Sequence, residues 1–302
     1  MNMPNFLIIG ASKAGTTALY EYLKQHPQIY MSPMKELRFF AIEGQNLNFC
    51  GPWDQVEIDR YSIKTLEAYQ QQFQDVSDEI AIGEASPWYL YSEQACQRIK
   101  YHIPNVKLIA ILRDPVERAY SHFSMHVLQG REPLNDFTQA IEQEEIRIQN
   151  NWGWAWHYIN RGLYYGQLKR YFNTFDQSQI KVYLYRDLKN NPVALLQDIF
   201  QFLDVDASLI PDFSVKHNVS GTPKNKTLHS FLTHKNPIKT LLKPLIPSRV
   251  RQKISTHIKN QNLVKSKVPT EVRQKLIKEV YQEDILKLQD LIKRDLSHWL
   301  SE

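Results

Sequence analysis

Residues Phe6-Leu-Ile-Ile-Gly10-Ala-Ser12-Lys13-Ala14-Gly15-Thr16-Thr17-Ala-Leu19 read as a buried strand, a loop of small residues and the start of a helix. The apolar run Phe6 to Ile9 suits a strand covered on both faces, as in a parallel sheet. Small residues at 10, 11, 12, 14 and 15 let the backbone curl so that successive N–H groups point at one anion. A helix opening near Thr16 adds the positive end of its dipole, and Lys13 supplies a mobile cation. The loop keeps the Gly10-to-Gly15 frame of a nucleotide-hydrolase phosphate loop, but Thr16 stands where that loop carries its lysine. A magnesium triphosphate is therefore not its natural guest. A lysine inside the loop beside two hydroxyls suits a shorter anion such as a phosphosulfate. The alternative is a strand-to-helix turn that binds nothing.

The most apolar strand-like run, Val106 to Leu112, ends in Arg113-Asp114-Pro115-Val-Glu117-Arg118-Ala-Tyr-Ser121-His-Phe. Asp is a good N-cap and Pro is tolerated at the first helical position, so a helix starts here. Arg113 is thereby placed at the carboxyl end of a strand, with Ser121 about two turns into the helix. Ligands of open α/β sheets bind at that edge, where Arg113 and Ser121 are suited to share one phosphate. A local ion pair of Arg113 with Asp114 or Glu117 is the competing reading.

Together these two stretches resemble the PAPS-dependent sulfotransferases: FLIIGASKAGTTAL resembles their 5′-phosphosulfate loop and LRDPVERAYSHF their 3′-phosphate motif. Met34-Lys35-Glu36-Leu37-Arg38-Phe39-Phe40 and Glu84-Ala85-Ser86-Pro87-Trp88-Tyr89 follow in the order of the branch that modifies heparan sulfate and of its bacterial relatives. The resemblance covers roughly residues 5 to 230. It implies a P-loop-like three-layer α/β fold with a central parallel sheet, and transfer of a sulfuryl group from PAPS to a hydroxyl or amine, leaving PAP. It also implies nucleotide contacts from Ser12, Lys13, Ala14, Gly15, Thr16 and Thr17, from Arg113 and Ser121, from Tyr164, and from a late loop holding Ser220, Gly221 and Lys224. Glu36 is implied as the base, with Lys13 as the catalytic cation. Arg38 and Trp88 fall on the acceptor side. One departure stands out: heparan-sulfating relatives carry a lysine two residues before the proline of the second segment, where this chain has Ala85.

Trp152, Trp154 and Trp156 alternate, which in an extended segment puts all three on one side. Such a wall suits stacking of an acceptor, with Trp154 foremost and His157 as an auxiliary base; packing in the core is the other reading. Two readings of different class remain beside sulfuryl transfer: a nucleotide kinase with a variant phosphate loop, and a non-catalytic binder of nucleotide or anionic glycan. The acceptor is read as a glycan or a small-molecule alcohol or amine.

The 302 residues carry a net charge of +5, but the charge is uneven. From residue 213 to 270 there are 12 Lys or Arg and no acid, which leaves the remainder of the chain at −7. A solvated face is the common outcome for such a run, while the leucines among the lysines suit peripheral association with an anionic membrane; nucleic acid is not expected. Cys50 and Cys96 have no metal-ligand spacing and are expected to be buried free thiols, and no metal site is expected. No leader and no apolar run of spanning length is evident, which suggests a cytoplasmic enzyme.

The whole chain reads as one domain, with a core over about 5–230 and a basic helical C-terminal extension over 231–302. Strands are expected near 6–10, 29–31, 80–83, 107–112 and 180–185. Helices are expected near 16–25, 64–74, 92–101, 116–129, 135–149, 161–171, 192–203 and 272–300. The last carries a stripe of Tyr281, Ile285, Leu288, Ile292, Leu296 and Trp299.

Overall fold

The computed structural model describes residues 2–214, 222–223, 263–264 and 267–301. Five strands form one all-parallel sheet in the order β2-β3-β1-β4-β5: β1 is Phe6–Gly10, β2 Ile29–Met31, β3 Ala81–Ala85, β4 Lys107–Leu112 and β5 Ile180–Leu184. Phe6 pairs with Gly83 on one side and with Lys107 on the other. The chain fills one half of the sheet through β3, then crosses β1 to lay down β4 and β5. The carboxyl ends of β1 and β4 are therefore where the strand order reverses, and a crevice opens there.

Covering both faces with helices explains the unbroken apolar runs. Phe6 to Ile9 and Leu108 to Leu112 are fully buried. Gly83 is required by close approach, since a Cβ there would lie 2.1 Å from the Phe6 ring. Gly83→Ala is expected to destabilise by about 1–3 kcal/mol, read as a lower denaturant midpoint at unchanged slope.

Asp114 caps helix Pro115–Leu128 as the sequence indicates, its Oδ1 accepting from the amides of Val116 and Glu117, each at 3.0 Å. Several helices differ from expectation. The 135–149 helix breaks at Gln143 into Phe137–Glu142 and Glu144–Gln149, because the Glu144 carboxylate turns inward to accept from the amides of Ile159 and Asn160. The 272–300 helix runs unbroken from Thr270 to Ile292, widened to a π-helical turn over Ile277–Tyr281, and is interrupted once, where left-handed Lys293 (φ 53) separates it from Ser297–Leu300. Its stripe is still buried, apart from half-buried Ile292. Short helices at Phe39–Ile42, Asp54–Tyr61, Trp88–Tyr91 and Tyr185–Asn190 had no periodic signal.

Cys96 is buried, whereas Cys50 is exposed on the loop before Asp54–Tyr61, against expectation. Among the described residues no helix is long and apolar enough to cross a membrane. Nearly all of the basic stretch 213–270 lies outside the described residues.

Candidate active site

A cleft of about 290 Å³ opens over the ends of β1 and β4. From the glycine loop it is lined by Ser12, Lys13, Gly15, Thr16 and Thr17; from the β4 side by Arg113 and Ser121; and from the intervening segments by Glu36, Arg38 and Trp88. Positions spread over 110 residues of sequence thus share one cavity. The loop curls through left-handed Lys13 (φ 69) and Gly15 (φ 102). Gly15 is needed at the second of these, where an added Cβ would also meet the Tyr185 ring at 3.0 Å.

Lys13 points along the cleft, with Nζ 3.2 Å from Met125 Sδ. Burial first, and then the Arg113 guanidinium, push its ammonium down to about 8, against the opposing pull of Glu36. Arg113 donates to Glu117 at 3.0 Å and to the Lys13 carbonyl at 3.4 Å, and lies 5.1 Å over the Tyr185 ring. The local ion pair and the cleft position are both real. One Arg113 amino group ties the end of β4 to the glycine loop.

Glu36 sits in the loop after β2 with φ 63. Its Oε1 accepts from Lys35 Nζ at 2.8 Å and its Oε2 from Arg38 Nη2 at 3.4 Å. Burial pushes its carboxyl up, but Lys35 and Arg38 together outweigh that and hold it at about 2. The Arg38 guanidinium stacks 4.0 Å over Trp88, and its Nε and Nη1 have no partner. Buried N–H groups left unpaired are costly, so an anion that reaches them gains what the free protein forgoes. The cleft wall carries Lys13, Arg38, Arg113 and Arg161 against Glu36 and Glu57, an excess of positive charge that fits a multiply charged nucleotide.

Four expected site residues lie elsewhere. Ala14 is fully buried beneath the loop, and its amide donates to the Ala11 carbonyl at 3.2 Å. Tyr164 is also fully buried; its hydroxyl donates to the Arg113 carbonyl at 3.0 Å, so it supports the end of β4 without lining the cleft. Tyr164→Phe is expected to cost about 1 kcal/mol of stability by stranding that carbonyl, measurable as a lower unfolding midpoint. The tryptophans are not on one side of an extended segment, because Trp154–Trp156 is a 3₁₀ turn. Trp156 is buried, with Nε1 donating to Asp54 at 2.9 Å, while Trp154 packs 5.2 Å from Trp88 and lines a neighbouring pocket with Tyr91 and Tyr165. His157 turns away from the cleft. Its Nδ1 faces the Tyr91 hydroxyl at 2.7 Å, and burial, then Arg161, push it down to about 4. Ser220, Gly221 and Lys224 lie outside the described residues.

Sequence reading missed Arg161, His122 and Glu144. Arg161 lines the cleft, donating to Ser12 Oγ and to the Trp154 carbonyl, the latter at 3.2 Å. Glu144 sets its turn by accepting from Ile159 N at 2.5 Å and Asn160 N at 2.8 Å. His122 also lines the cleft, and burial followed by His126 and nearby guanidiniums hold it neutral. His122 and Ser121 share the helix with Arg113's motif. Only the depth of that helix in the fold marks the histidine.

The family model for a sulfotransferase domain matches residues 3–240. The chain belongs to the sulfotransferase family. A solved sulfotransferase from Alicyclobacillus acidocaldarius is 32% identical, with a TM-score of 0.78 over 100% of both chains. The membrane-associated sulfotransferase kil1 of Dictyostelium discoideum is 24% identical over 76% of this chain. The bifunctional heparan sulfate N-deacetylase/N-sulfotransferase 1 of Caenorhabditis briggsae is 24% identical over 74% of it. The chain spans 62% of the first of these two curated relatives and 24% of the second. In this sulfotransferase the glycine loop, the Arg113 motif and Glu36 all fall inside the matched span.

Proposed function

We propose that this sulfotransferase moves a sulfuryl group from PAPS to a hydroxyl or amine of an acceptor, a glycan or a small molecule, in the cytoplasm. The observation that carries the reading is the single cleft at the strand-order reversal, which joins the Lys13 loop to Arg113 and Ser121. The bound donor would supply an activated sulfuryl group on a phosphate leaving group. Lys13 and the loop amides balance the charge that grows on the bridging oxygen. Arg113 and Ser121 hold the 3′-phosphate. Glu36 accepts the acceptor's proton, and Trp88 with Arg38 forms the acceptor-side wall. A kinase reading lacks a lysine after Gly15, where Thr16 stands.

Thermal shift separates the readings. PAP at a hundred times its dissociation constant should stabilise by about 2.7 kcal/mol, and ATP with magnesium at the same concentration by much less. Stabilisation by ATP with magnesium alone would overturn the assignment. Arg113→Ala should weaken nucleotides bearing a 3′-phosphate by about 1.5–3 kcal/mol and leave the others almost unchanged, as calorimetry can read.

Lys13 also predicts a pH dependence. The ammonium is charged below its value of about 8 and neutral above it, while a bound anion favours the charged form. PAP affinity should therefore hold below pH 8 and fall as the pH rises through it. Calorimetry at pH 8 in two buffers of different ionisation enthalpy should show uptake of about half a proton per PAP bound. No proton uptake at that pH would refute the role.

A further inference from the structure

Beyond residue 240, where the family match ends, Arg273, Tyr281, Asp284 and Arg294 of the described helices over 270–300 make polar contacts to the body of the protein. Each one lands beside the cleft. Arg273 Nη2 pairs with Asp114 Oδ2 at 2.8 Å, one residue after Arg113, and is itself held by the carbonyls of Trp299 at 2.9 Å and Ser301 at 3.3 Å. The Tyr281 hydroxyl donates to the Ile159 carbonyl at 3.0 Å, next to the turn that carries Arg161. Asp284 accepts from the amides of Tyr164 and Tyr165 at 2.9 and 3.1 Å, and Tyr164 in turn bonds the Arg113 carbonyl. Arg294 pairs with Asp187 at 2.9 Å, in the short helix whose Tyr185 ring lies under Arg113.

We infer that this C-terminal unit is a working part of the nucleotide site: it holds the turn carrying Arg113, and Arg273 keeps the Asp114 carboxylate from neutralising the Arg113 guanidinium. The inference rests on the assignment of Arg113 to the 3′-phosphate. Arg113 already gives one amino group to Glu117 at 3.0 Å. Asp114 uses Oδ1 to cap the helix, and its side chain is only 13% exposed, so Oδ2 is poorly served by water. Without Arg273 its nearest cation in sequence is Arg113. A carboxylate close to a guanidinium competes directly with an incoming phosphate, and such a neighbour shifts ionic equilibria by about one to three orders of magnitude. Arg273 is thus a positioning residue: it acts on Asp114, and through it on Arg113, with no contact to the ligand required.

The test measures dissociation constants of PAP and of adenosine 5′-phosphosulfate, which lacks the 3′-phosphate, by calorimetry. Arg273→Ala should weaken PAP about tenfold or more, with adenosine 5′-phosphosulfate within about twofold of wild type. Adding Asp114→Asn, which keeps an oxygen to cap the helix and removes the charge, should return PAP to within about threefold. A structural role alone moves both nucleotides together and is not rescued by Asp114→Asn; either outcome overturns the inference. If Arg273→Ala does not fold, Arg273→Gln keeps N–H donors without the charge and must show the same loss of preference for PAP. Arg113→Ala run alongside isolates the underlying assignment. If it keeps the wild-type preference, the nucleotide reading fails and this inference fails with it. If it loses the preference while Arg273→Ala retains it, only the C-terminal role is lost.

Discussion

Replacing Lys13 with alanine is expected to lower turnover by about two to three orders of magnitude while weakening PAP far less. The reason is timing. On the proposed assignment the loop amides and Arg113 already hold the nucleotide in the ground state, and Lys13 adds one ammonium whose affinity for its proton is depressed to about 8 by burial and by Arg113. As the sulfuryl group leaves, negative charge collects on the bridging oxygen, and the largely buried Lys13 cation stabilises that charge more than it stabilised the bound donor. Interactions stronger in the transition state than in the ground state appear in turnover. Single-turnover rates with labelled PAPS and an acceptor found by screening, set beside PAP dissociation constants, provide the comparison. Equal losses in both would sink the assignment.

Glu36→Gln should cut turnover by about two to four orders of magnitude and leave PAP affinity nearly unchanged, since the shape stays and the basicity goes. Lys35 and Arg38 hold this half-buried carboxyl at about 2. So weak a base cannot abstract a proton from a free alcohol. It can accept one late, once the acceptor oxygen is bonding to sulfur and its proton has become strongly acidic. Two consequences follow for the pH–rate profile. Glu36 is ionised at every pH well above 2 and contributes no acidic limb near neutrality, while in kcat/KM for the donor, which reports the free enzyme, a basic limb near 8 belongs to Lys13 and moves higher in kcat. Near-normal turnover in Glu36→Gln would exclude it as base. Suspicion would then pass to His122, the neutral imidazole in the cleft wall, and not to His157, which faces Tyr91.

The sequence by itself determined what is local or strongly patterned. The apolar runs of β1 and β4 specify buried parallel strands because two-sided burial removes any polar alternation. The small residues around Lys13 permit the tight turn that the loop takes, and Asp114 before Pro115 caps a helix by accepting from the amides of Val116 and Glu117. Ser12, Lys13, Gly15, Thr16, Thr17, Arg113 and Ser121 could be placed at the cleft for that reason, since each rides on such a segment, whereas Glu36, Arg38 and Trp88 were placed there by the family resemblance alone. Tertiary structure decided the rest. Whether Trp154 or His157 faces the cleft depends on a 3₁₀ turn with no periodic signature, and the bend of the 135–149 helix depends on amides fifteen residues away that attract Glu144. Tyr164 is buried outside the cleft, where its hydroxyl donates to the Arg113 carbonyl, a partner that only the packing of its helix against the end of β4 supplies. Arg161 and Arg273 are single arginines in unremarkable surroundings. Only packing brings one to Ser12 and the other to Asp114, because a long side chain takes its partner from whatever the fold places within reach.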